Sequence, residues 1–441
     1  MATLSFGLAR RVITPRVPVS LAGYFTLRPW THVLDDLLVQ ALAVRGAAGN
    51  LAVVVQLDLV STSPEFTGGV RAGCADIAGL RSEDILFAAS HTHTAPEIRG
   101  GRAGANPDYT RWAIERSIEA VHEAVAELRP GSLAYACARD DRFAFNRRYW
   151  MADGTVMTNP PRRDPRIKGP EGVTDPEIPL LAFCVDGQPR VLLANIANHP
   201  DTISGCGVSA DWHGFVRRRL ESSRPGLQVV TLTGCAGNLN HFDPHGPDEQ
   251  SGYDTARRIG EGYAASILPV LDQLQPLAGD DLRTAAAVLT IGPREIDEAA
   301  LAEARDHAAR FSFDTSKQLT SEDLAQRSPA ALKYFADALL ALAADRRDRH
   351  VEIHALRLGP AVLVSLPGEP FTEHGLHIRK ELLAGRPALV ASLGDGRAVY
   401  IPNRENYGRG GYETTPRSSP YSMAAGEILR RGVRDLLAGM V

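Results

Sequence analysis

Short aliphatic runs separated by polar, turn-forming stretches give the chain its first pattern. Leu51-Ala-Val-Val-Val-Gln-Leu-Asp-Leu-Val60 and Ile85-Leu-Phe-Ala-Ala-Ser90 are aliphatic and bounded by polar residues, as buried strands are. Residues 180–185, 191–197, 229–232, 286–291 and 361–366 read the same way. From 109 to 128 the apolar positions recur at three and four (Trp112, Ile114, Ile118, Val121, Val125) until Pro130 intervenes, which predicts a helix. Strands alternating with helices predict an α/β protein with mixed sheet layers flanked by helices. Two regions depart from the alternation. Residues 157–179 carry many Pro, Gly and charged residues and read as a long surface loop. Residues 296–349 are rich in Ala, Leu and charge at helical spacing, which predicts a helical insertion rather than a domain of its own. No internal repeat is visible.

Composition narrows the class of function. Of 441 residues, 44% are hydrophobic and 23% charged, the balance of an ordinary globular protein. That length allows two or three domains or one large enzyme domain. Lys+Arg 48 against Asp+Glu 52, a net charge of -4 and the lack of a long basic run argue against nucleic acid as a partner. No run reaches the roughly 18 apolar residues that a membrane span requires. The opening MATLSFGLAR lacks a basic stretch followed by an apolar one, so the expected location is the cytoplasm. Five cysteines (Cys74, Cys137, Cys184, Cys206, Cys235) lie far apart with no CxxC spacing, which predicts reduced thiols. A metal would then be held by His and carboxylate.

The candidate chemistry gathers at strand ends. Ser90-His-Thr-His-Thr-Ala-Pro96 follows a strand directly, and residues two apart in an extended chain project to the same side. Asn198-His199-Pro200 closes a second strand. The small-residue turn Thr233-Gly-Cys-Ala-Gly-Asn238 closes a third, and its backbone N–H groups suit an anion. Leu366-Pro-Gly-Glu369 closes a fourth. Ligands in α/β proteins bind outside the carboxyl ends of strands, so the active site is expected there. Two His and a Glu are also the ligand set of many catalytic zinc sites.

These residues resemble the neutral/alkaline (non-lysosomal) ceramidase family, whose members extend beyond those that cleave ceramide. Gly7-Leu-Ala-Arg-Arg-Val-Ile-Thr-Pro15, Leu21-Ala-Gly-Tyr24, the HTH segment, Asn146-Arg147, Asn198-His199-Pro200, Leu366-Pro-Gly-Glu369 and Tyr400-Ile-Pro402 with Gly411-Tyr412-Glu413 occur in the family's order. The resemblance implies a catalytic Zn2+ held by His91, His199, Glu369 and Tyr400. It implies that His93, Arg147 and Tyr412 face the substrate. Tyr407 and Tyr412 lie near Tyr400, but the family's second active-site Tyr stands twelve residues beyond the ligand, as Tyr412 does from Tyr400. One stretch departs: Asn238 and Asn240 replace the family's Asp and Ser, so no nucleophilic Ser is present there. The landmarks favour a single catalytic domain over 1–441, without a trailing immunoglobulin-like domain.

The reading that follows is a zinc-dependent hydrolase cleaving the N-acyl amide bond of a small soluble or amphiphilic substrate. Two other classes stay open. Cys235 in Thr233-Gly-Cys-Ala-Gly237 would serve a cysteine hydrolase with His199 or His241 as base. A family member that has lost catalysis and only binds its ligand would also fit Asn238 and Asn240. An amidohydrolase-type barrel shares the HxH but places it near the first strand, and no GxSxG marks an α/β-hydrolase.

Overall fold

The aliphatic runs form strands because each is buried from end to end. Leu51–Leu57 and Ile85–Ala89 expose none of their residues, and both pair in parallel from Val53 opposite Ile85 to Leu57 opposite Ala89. In the computed structural model, which describes residues 4–25, 27–100, 104–314, 319, 323, 326–396 and 399–440, they belong to the first of three large sheets.

Each large sheet is built by one recurring plan. In the first, β1 (Ser5–Val12), β2 (Leu38–Arg45) and β3 (Leu51–Leu57) run antiparallel. Helix α1 (Pro64–Gly73) then crosses over to the parallel β4 (Ile85–Ala89), and α2 (Pro107–Ala126) follows. The second repeats this with β5 (Ser132–Arg139), β6 (Glu177–Val185), β7 (Gln188–Ile196), α3 (Asp211–Ser223), the parallel β8 (Gln228–Thr233) and α4 (Tyr253–Ile267). The third uses β9 (Leu282–Ile291), β10 (Arg349–Leu358), β11 (Ala361–Ser365), α7 (Thr372–His377), the parallel β12 (Ala388–Ala391) and α8 (Ala425–Ala438). Strand orders β4-β3-β2-β1, β8-β7-β6-β5 and β12-β11-β10-β9 are therefore the same. The repeat is one of topology, and no repeated sequence accompanies it.

The inner faces meet in one core. Phe6, Leu42 and Val54 of the first sheet pack with Phe183, Leu193 and Leu232 of the second and Leu356, Leu363 and Leu389 of the third. The outer faces are covered separately: Val121 of α2 on the first, Trp212 of α3 and Tyr263 of α4 on the second, Leu429 and Val433 of α8 on the third. Several helix starts are written locally. Ser63, Asn106 and Ser328 cap α1, α2 and α6 (Pro329–Ala344) with a side-chain oxygen, and each is followed by a Pro at the first helical position.

In every unit the chain makes a long excursion between its first and second strands, over residues 13–37, 140–176 and 292–348. The third contains α5 (Glu298–Arg310) and α6; residues 315–318, 320–322 and 324–325 of the predicted helical stretch lie outside those described. The second corrects the expectation of a surface loop over 157–179. Arg148–Met151 pairs with both Val156–Thr158 and Ile167–Pro170, and β6 begins at Glu177. Prolines and glycines there punctuate the turns of a small, half-exposed sheet. No described helix is long and apolar enough to cross a membrane.

Candidate metal centre and its cavity

His91 follows β4, yet its backbone is not extended. At φ 71 it occupies the left-handed region, uncommon for a residue with a side chain and characteristic of functional sites. Its N–H bonds to the Leu59 carbonyl and its ring Nδ1 to the Val60 carbonyl. A ring that donates from Nδ1 presents a bare Nε2, the form in which imidazole binds metal. The alternation argument for HxH thus reached the right outcome by the wrong route: the two rings converge because the strand breaks at His91.

Three Nε2 atoms meet there. That of His93 lies 3.4 Å from that of His91 and 3.1 Å from that of His199. All three residues are buried, and their ligand atoms fall within 4.8 Å of one another, close enough to share an ion. His199 is fixed by its N–H on Asn198 Oδ1 at 2.8 Å, while Asn198 Nδ2 bonds Phe143 O and Tyr263 Oη. Glu369, from the loop after β11, brings Oε2 to 3.3 Å from His91 Nε2; that buried oxygen has no hydrogen-bond partner. Burial, and after it the electrostatic influence of the adjoining imidazole of His91, pushes His93 and His199 well below the usual imidazole range, so both rings are neutral. Neutral imidazoles around an unsatisfied carboxylate oxygen suit a divalent cation.

Tyr400 is paired with Glu369 in a short parallel bridge, so the two side chains leave the same face. Burial raises its phenol well above the ordinary value, opposed by Arg147, whose guanidinium carbon lies 5.0 Å from the ring centroid. Arg147 is held by Glu413 Oε1 at 2.7 Å and the Gly237 carbonyl at 2.8 Å. Tyr412 lies edge-on to Tyr400 at 5.8 Å, with its hydroxyl bonded by Ser418. Tyr407 instead bonds Ser419 at 2.7 Å. The structure therefore gathers His91, His93, His199 and Glu369, with Arg147, Tyr400 and Tyr412 stacked beside them.

Part of the turn after β8, expected to suit an anion, is already engaged within the protein. The N–H groups of Gly234, Gly237 and Leu239 are taken by the carbonyls of Ile196, Pro370 and Ala236. Gly237 allows close approach instead: a Cβ there would lie 2.4 Å from the Glu369 carbonyl oxygen. Asn238 is spent on the backbone and hydroxyl of Thr372, each at 2.8 Å, and Asn240 Nδ2 on Asn159 Oδ1, also 2.8 Å. Cys235 packs in the third unit's core against Gly375, and burial drives its thiol far up, which removes the thiolate a cysteine hydrolase needs. Asp211 is the first residue of α3. Its carboxylate accepts from the N–H of Thr202, Ile203 and Trp212, and burial moves it up to about 6.

A cavity of about 840 Å³ opens over the centre, within the range of small-molecule sites. All three excursions reach it. The first brings Tyr24 and Phe25, the second Arg147 and Asn159, and the third Leu332, Phe335 and Leu339 from one face of α6. Asp201 also lines it and was missed from the sequence, although its place two residues after His199 was a signal.

No family model matches the chain, and no curated protein does. Solved structures do. Neutral ceramidase from Pseudomonas aeruginosa matches at a TM-score of 0.75 with 19% identity, over 100% of this chain and 75% of that one. A ceramidase complexed with C2 matches at 0.76 with 18% identity and the same coverage. The three-unit α/β architecture around the histidine cluster is a neutral ceramidase-like fold.

Proposed function

We propose that the chain is a zinc-dependent hydrolase of N-acyl amide bonds. The observation that carries this reading is the convergence of three buried imidazoles on a buried carboxylate oxygen that has no hydrogen bond, at the floor of a cavity. The ceramidase-like fold adds to it. His91, His199 and Glu369 would hold the ion, with Tyr400 as a fourth ligand. When bound, zinc supplies Lewis acidity, polarising a carbonyl and lowering the pKa of water.

The chain's own groups supply the rest. Arg147 donates to the Gly237 carbonyl and to Tyr400, makes an ion pair with Glu413, and still has donors to spare, since a guanidinium carries five. With the Tyr412 hydroxyl it stabilises the negative charge that develops on the amide oxygen. His93 Nε2, beside the centre, carries the proton to the departing amine. Neither Asn238 nor Asn240 is asked for a nucleophile.

Zinc content and turnover of a panel of N-acyl amides, ceramide included, test the proposal. One zinc per chain and chelator-sensitive hydrolysis are expected. His91→Ala and Glu369→Ala should each lose both, whereas His93→Ala should keep zinc and lose turnover. Full zinc occupancy in either ligand variant removes the ligand assignment. A zinc-loaded protein that cleaves none of the panel removes the hydrolase reading.

A further inference from the structure

Several buried carboxylates near the cavity are matched to guanidinium groups. Glu413 lies between Arg147 and Arg148 at 2.7 Å from each, Glu171 pairs with Arg148, and Asp175 pairs with Arg379 at 2.7 Å. Asp201 differs. Among the described residues no arginine or lysine is in ion-pair contact with it. Its Oδ1 accepts the Tyr24 hydroxyl at 2.7 Å and faces His93 Nδ1 at 3.3 Å. Arg28 stands nearby with its guanidinium carbon 3.8 Å from the Tyr24 ring centroid, but it donates to the carbonyls of Ala22, His93 and Gly205. Oδ2 has no partner among the described residues. Asp201 lines the cavity, with about a third of its side chain (32%) accessible.

Arg28, His241 and Arg147 act on Asp201 from a distance, and none of them is in ion-pair contact with it. A carboxylate largely withdrawn from water and lacking a cation in contact is costly, and a ligand that brings one offsets that cost. Tyr24 fixes the group in place, so the site is formed before the ligand arrives. We infer that Asp201 is a recognition point for an aliphatic ammonium group entering the cavity. Its neighbour His93 reaches the centre with the opposite ring nitrogen, so the ammonium stands about one imidazole's width from the reacting groups. Leu332, Phe335 and Leu339 give the same cavity an apolar wall. On the hydrolase reading, on which this last step rests, the substrate is an N-acylated diamine whose free ammonium sits on Asp201 and whose acyl group lies against α6.

Binding, measured without turnover, tests this. Calorimetry on the zinc-loaded protein would compare butylamine, an ammonium at neutral pH, with butanol, which has the same chain and no charge. The amine is expected to bind at least about tenfold more tightly than the alcohol. Asp201→Asn should bring the two together, while Glu303→Gln, the other cavity-lining acid, which pairs with Arg327, should preserve the preference. Equal affinities in the natural protein overturn the inference, as does a preference that survives Asp201→Asn or disappears with Glu303→Gln. Amine preference without amide cleavage would remove the hydrolase reading alone. Cleavage without amine preference would remove this inference alone.

Discussion

Two glycines show how tightly single atoms govern the centre. Gly23 has φ +93, and a Cβ on it would lie 2.5 Å from His93 Cγ. Gly23→Ala should cost about 1–3 kcal/mol, through overpacking and backbone strain, and should turn the His93 ring. Zinc content near normal with a large fall in turnover is the expected result. Gly237→Ala pushes instead on the Glu369 backbone, so zinc itself should be lost; metal analysis of both variants separates the two effects. At this scale much was legible in the sequence. HTH, Asn-His-Pro and Pro-Gly-Glu sit at strand ends, and the structure brings their side chains together. Asp201 was not legible, because a lone acid is read by what surrounds it, and Tyr24 stands 177 positions away.

Between elements, buried charge does much of the joining. Arg148, fully buried, ties Glu171 of the second excursion to Glu413 near Tyr412. Arg148→Ala should destabilise the fold by about 3–5 kcal/mol, since it takes a fully buried guanidinium from two carboxylates and leaves Glu413 to Arg147 and Glu171 to the more distant Arg409, and chemical denaturation would measure it. A second tie joins the first and third units: Arg71 of α1 meets Glu352 of β10 at 2.7 Å, and His354 meets the same carboxylate at 3.0 Å. The His354 hydrogen bond, with Arg71 adding to it, brings Glu352 down to about 2. A carboxyl that titrates lower when folded contributes fully above its free value of 4.5 and loses that contribution as pH falls through about 2. With Glu352 partly exposed, on the order of 1–2 kcal/mol should vanish over that window and be absent throughout in Glu352→Gln. The strands hidden from sequence reading belong here too. Arg349–Leu358 alternates charged with buried positions, and Ser132–Arg139 is rich in Ala and half-buried, so neither shows the continuous aliphatic run that marked Leu51–Leu57 and Ala361–Ser365.

Taken whole, the three units depend on a core that none possesses alone. Leu363→Ala, in the shared core, should cost about 2–5 kcal/mol and weaken amide protection in all three sheets together. Val433→Ala, on the buried face of α8, should open the third unit first; hydrogen exchange read by mass spectrometry distinguishes the patterns. This threefold plan stayed hidden because topology repeats where side chains do not: the first sheet's crossover helix opens Pro-Glu-Phe, the second's Asp-Trp-His. The three excursions leave their sheets at equivalent points and meet over one cavity, while the zinc-binding candidates stand on the strand ends beneath. Parts that tolerate no displacement are thereby separated from parts that can grow, shrink or be exchanged. A molecule so divided can acquire a new appetite by rewriting a loop and never disturb its anvil.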